Sequence, residues 1–172
     1  MKFKNIILST TLLIASNLAS ANFYLVDRFE DAADTNPGDG QCKGLNMVWA
    51  TCSLRAAIME ANANVGPHTI LIPAGTDFVL TQVGEDEDNA FTGDLDILED
   101  ISIANGLPQG FVIDGNGSDR IFNVHDGAKL TLTNGLLTNG VANTANTFEG
   151  GAIKVEIGGV LIVDEVDFVN NI

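Results

Sequence analysis

Basic residues are the scarcest chemistry in this 172-residue chain, with eight Lys and Arg against 23 Asp and Glu and a formal charge of −15. Binding to nucleic acid or to anionic lipid rests on clustered Lys and Arg, so the sequence predicts neither partner. Only two cysteines and two histidines are present, Cys42, Cys52, His68 and His125. Their separations do not make a zinc-binding pattern. There is one Trp and one Tyr. The only long apolar run, Ile6 to Ala15, is about ten residues, well short of the ~20 that span a bilayer. No phosphate loop, cofactor fingerprint or nucleophile motif occurs.

That apolar run has a different reading. Lys2 and Lys4 precede it, and Ala19 and Ala21 follow as the small-x-small pattern of a signal-peptidase site. Residues 1–21 are therefore expected to be an export leader, cleaved after Ala21. Its loss removes two basic residues and no acidic ones, taking the formal charge from −15 to −17. No second stretch reaches membrane-spanning length, so the mature chain is expected to lack a transmembrane segment. Export also bears on the cysteines. In an oxidising compartment an even pair reads as a disulfide, and Cys42 with Cys52 is expected to close a short loop. Two thiols with both histidines far off in sequence weigh against the rival metal site.

Two textures follow the leader. Residues 22–67 combine a strand at Phe23-Tyr24-Leu25-Val26, a loop at residues 34–40 and a helix from about Ser53 to Asn62. In that helix Leu54, Ala57, Ile58 and Ala61 fall on one stripe, with Ser53 as N-cap. Residues 68–172 are short strands of Ile, Val, Leu, Phe and Thr, punctuated by Gly and Asn. Ile101-Ser102-Ile103, Leu130-Thr131-Leu132 and Leu161-Ile162-Val163 recur at intervals of 29 and 31 residues. A period of this size with about three strands per repeat predicts an all-β, right-handed parallel β-helix of about 3–4 coils. The short helix would act as its N-terminal cap. A β-sandwich, with similar strand spacing, is the alternative.

Several ordered segments carry a resemblance. Cys52-Ser53-Leu54-Arg55-Ala56-Ala57-Ile58, preceded by Asp39-Gly40-Gln41-Cys42 and followed by Glu60-Ala61-Asn62, resembles the CSLREA motif of exported bacterial β-helix proteins. Ile72-Pro73-Ala74-Gly75-Thr76, Thr92-Gly93-Asp94-Leu95-Asp96-Ile97 and Asp119-Arg120-Ile121-Phe122-Asn123-Val124 are similar to further elements of that family. Glu149-Gly150-Gly151-Ala152-Ile153 and Phe168-Val169-Asn170-Asn171 resemble the repeats of polymorphic outer-membrane proteins, which share the pectin-lyase-like β-helix. The resemblance implies a periplasmic, surface or extracellular protein. One departure is Ala56, where the family has Glu. The reciprocal bond of a capping box is then missing, at a cost of up to ~1 kcal/mol. A second is the absence of a visible terminal cap near Asn171-Ile172. From it the sequence reading expects an open coil that continues in a longer chain or pairs with another subunit.

For chemistry, the acidic stretch from Glu85 to Asp88, followed by Asp94 and Asp96, is the densest set of hard oxygen ligands. Asp86, Asp88, Asp94 and Asp96 are candidate calcium ligands. Their spacing matches neither an EF-hand nor a calcium-binding nonapeptide repeat, and a solvated acidic loop is the plainer reading. A polysaccharide lyase of this fold would need a base, and the strand region offers Arg120, Lys129 and Lys154. A glycoside hydrolase would need convergent carboxylates such as Asp114 and Asp126, with His125 a conceivable base. No constellation in the sequence requires catalysis, and no catalytic residue is assigned. The expectation is an exported, non-catalytic module of an adhesin-like surface or secreted protein, binding glycans or surface proteins. A polysaccharide lyase or hydrolase and a module assembling end to end are the alternatives.

Overall fold

The computed structural model describes residues 21–43, 51–84, 87–106, 108–142 and 150–172. The expected leader, apart from Ala21, lies outside these residues, as does Asp86. Among the described residues ten strands and one helix follow in order. They are β1 (Phe23–Leu25), α1 (Leu54–Asn62), β2 (His68–Leu71), β3 (Asp77–Val79), β4 (Leu95–Ile97) and β5 (Asp100–Ala104). After them come β6 (Phe111–Asp114), β7 (Phe122–Val124), β8 (Lys129–Thr138), β9 (Ile153–Val155) and β10 (Val160–Val169).

Helix α1 forms where its stripe and cap predict. The Ser53 hydroxyl accepts the Ala56 N–H at 3.0 Å, which satisfies one orphan donor of the first turn. The same Ser53 hydroxyl donates to the Ala32 carbonyl at 2.5 Å, pinning the helix start to the preceding loop. Cys42 and Cys52 form a disulfide directly before this turn. Leu54, Ala57, Ile58 and Ala61 are all buried in the core.

Every strand pair among the described residues is parallel. The register follows the sequence repeat, with Ile101 opposite Leu130 and Leu130 opposite Leu161. The expected right-handed β-helix, however, is not what the strands build. They form one curled seven-stranded sheet, a half-barrel, with a separate three-stranded sheet of order β4-β7-β9. The reason lies in β8. Its Asn134-Gly135 pair reads as a corner, yet the strand continues through it, with Asn134 alone outside the register that resumes at Gly135. The first half of β8 pairs with β5 and the second with β6. Two strand rows that closed coils would keep on separate faces are thereby fused into one curved sheet. Asn134 takes the bend at φ 59°, a conformation Asn tolerates better than most residues. Gly135 leaves room for the Phe111 ring, which would lie 2.6 Å from an added Cβ.

The concave side is filled by Ile70, Ile72, Ile101, Ile103, Phe111, Ile113, Leu130, Leu132 and Leu137. Leu95, Ile97, Ile121, Phe122 and Val124 come from the smaller sheet and its approach. Alternation along β5 and β8 places these residues inward, as period-2 strands require. No helix among the described residues is long and apolar enough to cross a membrane.

Candidate functional site

The small sheet carries the charged chemistry. Along β4 the residues Leu95 and Ile97 face the core, so Asp94 and Asp96 project from the other side of the strand. Register sets Asp96 beside Asn123 of β7, and Asn123 beside Lys154 of β9. A loop spanning residues 87–94 folds back over Asp96. The Ala90 N–H donates to its Oδ2 at 2.9 Å. Glu87 shapes the loop by accepting from the Asn89 and Thr92 N–H groups. Gly93 takes φ +61°, and an added Cβ would meet the Gly84 carbonyl at 2.7 Å, so this turn requires glycine.

Arg55 anchors that loop from α1. It is fully buried, pairs with Asp31 at 2.5 Å, and donates to the carbonyls of Ala90, Gly93 and Asp94. Asp31 also accepts from the Thr81 and Gln82 N–H groups. One guanidinium thus ties the first loop, the helix and the acidic loop together.

Asp94 turns to Arg120, whose Nε lies 2.9 Å from Oδ2. Asp119 stands 3.9 Å from the same nitrogen. Burial, with repulsion from Asp96 and Asp119, pushes the Asp94 carboxyl up to about 7 in spite of Arg120. Burial also raises Asp96, against the hydrogen bonds from His125 and the Ala90 N–H.

Asp96 is completely buried. Its Oδ1 meets His125 Nε2 at 2.7 Å, and the other ring nitrogen of His125 lies 3.6 Å from Glu156. Glu156 is in turn 3.6 Å from the Lys154 ammonium. Asn123 reaches into the same cluster through Nδ2, 3.1 Å from His125 Nε2 and 3.5 Å from Asp96 Oδ1. Asp88, from the overlying loop, completes a group with Asp96 and His125 whose ligand atoms lie within 4.8 Å of one another.

Of the four candidate calcium ligands, Asp88 and Asp96 come together, Asp94 is engaged by Arg120, and Asp86 lies outside the described residues. The sequence offers His125 only as a base for a hydrolase, which misses its place between Asp96 and Glu156, each about 30 positions away in the chain. Asn123, Glu156 and Arg55 were also missed. The available signal was the repeat itself, which in register stacks polar positions of successive strands. Among the residues weighed for enzymes, Lys129 pairs with Asp100, and Asp114 accepts from the Asn116 N–H and Asn139 in a turn.

The second surface of note is β10. Among the described residues it pairs with β8 on one side and with nothing on the other. Leu161, Val163, Val166 and Phe168 lie opposite the buried row of β8, so they point toward the core. Val163 and Phe168 nonetheless remain 44% and 46% exposed. Asp164, Glu165 and Asp167 share the strand, which carries no basic residue.

Comparison with family models, with curated proteins and with solved structures finds no match to the chain.

Proposed function

We propose that this chain is an exported, non-catalytic, adhesin-like binding module that recruits a protein partner by strand addition along the edge of β10 that no described strand covers. The observation that carries the reading is the combination on that edge. Along the ten residues of β10 the N–H and C=O groups turned away from β8 meet no partner strand among the described residues, and the core-facing side chains beside them stay half uncovered. Natural sheets usually blunt such an edge; the three acids of β10 turn away another acidic strand, and its length leaves a template for a strand of the other charge. Export is supported by the leader pattern of residues 1–21 and by the Cys42–Cys52 disulfide, since such bridges persist in oxidising compartments.

Charge selects the partner. With Asp164, Glu165 and Asp167 on the strand and −15 on the chain, a second copy would oppose acid to acid. The fitting occupant is an extended segment with apolar residues on its inner face and Lys or Arg on its outer face. A ten-residue peptide alternating Val with Lys is the test probe, read by hydrogen exchange of the β10 amides. Binding protects those amides in the wild type and leaves them unprotected in Val163→Lys. Absence of protection at millimolar peptide, or equal protection in the variant, overturns the reading. So does concentration-dependent self-association that protects β10 without peptide.

A further inference from the structure

With the Asn123 amide nitrogen facing the ring, the contacts around His125 have no consistent hydrogen-bond assignment. Its Nε2 lies 2.7 Å from Asp96 Oδ1 and 3.1 Å from Asn123 Nδ2. If Nε2 carries a proton, it donates to Asp96 but sets donor against donor at Asn123. If it carries none, it accepts from Asn123 but sets its lone pair against a carboxylate oxygen. A second oddity lies in the same place. Asn123 is 93% buried, and its Oδ1 has no hydrogen-bond partner. A buried polar atom left alone is destabilising, so native structures rarely keep one.

A turn of the carboxamide relieves the clash at the ring, and a cation gives the turned oxygen a partner among the carboxylates it then faces. The two ends of a carboxamide are told apart only by their partners. Turned over, Asn123 presents its orphaned oxygen to the cluster and withdraws the amide from His125. A ring nitrogen of His125 and one carboxylate oxygen each of Asp96 and Asp88 lie within 4.8 Å of one another, and Nε2 and Oδ1 are the atoms by which His125 and Asp96 face each other. The surroundings suit such a site. The Ala90 N–H occupies Oδ2 of Asp96 and leaves Oδ1 for the ion. Glu156, beside Nδ1 of His125, is placed to hold the ring with its other nitrogen inward, as outer carboxylates do for metal-bound imidazoles.

We propose that Asp88, Asp96, His125 and the Asn123 carboxamide oxygen bind one divalent transition-metal ion of the Zn²⁺ class. An imidazole donor favours such ions over Ca²⁺, which prefers a shell of six to eight oxygens. The proposal is independent of strand addition, because the site lies on the small sheet and its overlying loop, away from β10.

Cobalt(II) is the probe, because its visible d–d bands report ligand number and type. The full chain, taken through a chelator and desalted, binds one equivalent of Co²⁺, and Zn²⁺ displaces it. Asp88 is exposed, so Asp88→Ala tests the site without disturbing the core. Asp88→Ala and His125→Ala each weaken Co²⁺ binding at least tenfold, and Glu156→Gln weakens it by roughly 10-fold or more through the ring it orients. Far-ultraviolet circular dichroism of each variant establishes that it is folded. Absence of d–d bands at millimolar Co²⁺, unchanged affinity in folded His125→Ala, or displacement by Ca²⁺ as readily as by Zn²⁺ overturns the assignment.

Discussion

Asn134 of β8 and Glu165 of β10 sit side by side at one bend, with φ of 59° and 54°, while the pairs on either side stay in register. Thr133 faces Asp164 and Gly135 faces Val166. The sheet therefore turns at the same point in two successive strands, once with a residue suited to the left-handed region and once without.

Replacing Glu165 with Asn is expected to stabilise the protein. A non-glycine residue in this region costs on the order of 1–2 kcal/mol, and Asn recovers part of that through local hydrogen bonding. The expected gain is about 0.5–1 kcal/mol in denaturant unfolding at unchanged slope. A loss of stability in Glu165→Asn would show that the bend is not the source of strain.

Arg55→Met should be among the most damaging single changes. It strands Asp31 beside a core that has lost its cation, and leaves three carbonyls without their donor. Breaking a buried pair from one side costs about 3–5 kcal/mol. Urea unfolding gives the value, and a loss below about 1 kcal/mol would contradict a structural role for the pair.

Asp34 supplies a pH signature. Burial raises its carboxyl above the usual aspartate range, Glu60 adds to the rise, and its Oδ2 has no hydrogen-bond partner. The folded state then binds the proton more tightly than the unfolded chain. Stability falls as pH rises from the unfolded value of about 3.9 through the raised folded value. Asp34→Asn keeps an acceptor for the Asn36 N–H and removes the charge. Its stability relative to wild type should grow across that window and level off above it. A difference independent of pH would be inconsistent with a buried, raised carboxyl.

Removing the disulfide by Cys42→Ser with Cys52→Ser opens a loop of ten-residue separation. The chain-entropy relation sets the loss at about 2.7 kcal/mol, a drop of several degrees in Tm. The α1 start should survive, since Ser53 still holds the Ala56 N–H and the Ala32 carbonyl. Loss of the helical signal in this double variant would mean that the bridge, and not the cap, defines the turn.

Helix α1 was legible because its signals are local. A four-residue apolar stripe and a serine cap lie within ten positions of one another. Strand positions were legible from Gly and Asn punctuation, and register from the recurrence of Ile101, Leu130 and Leu161. The architecture was misread at Asn134-Gly135. That pair has the composition of a corner, but whether a left-handed Asn ends a strand or bends it depends on the partners across the ladder. The charged cluster was half legible. Asp88 and Asp96 stood out as acids in one loop and strand, whereas His125 and Glu156 join them only after 29 and 31 positions of chain are folded into register.

The three carbonyls held by Arg55 have a kinetic consequence. The loop carrying Asp88 cannot lift from Asp96 unless the guanidinium lets go of Ala90, Gly93 and Asp94, and that guanidinium belongs to the helix. Loop and helix should therefore open as one cooperative unit, their amides exchanging together in a single sub-global event. An ion beneath the loop would be released at the pace at which the N-terminal helix unlatches.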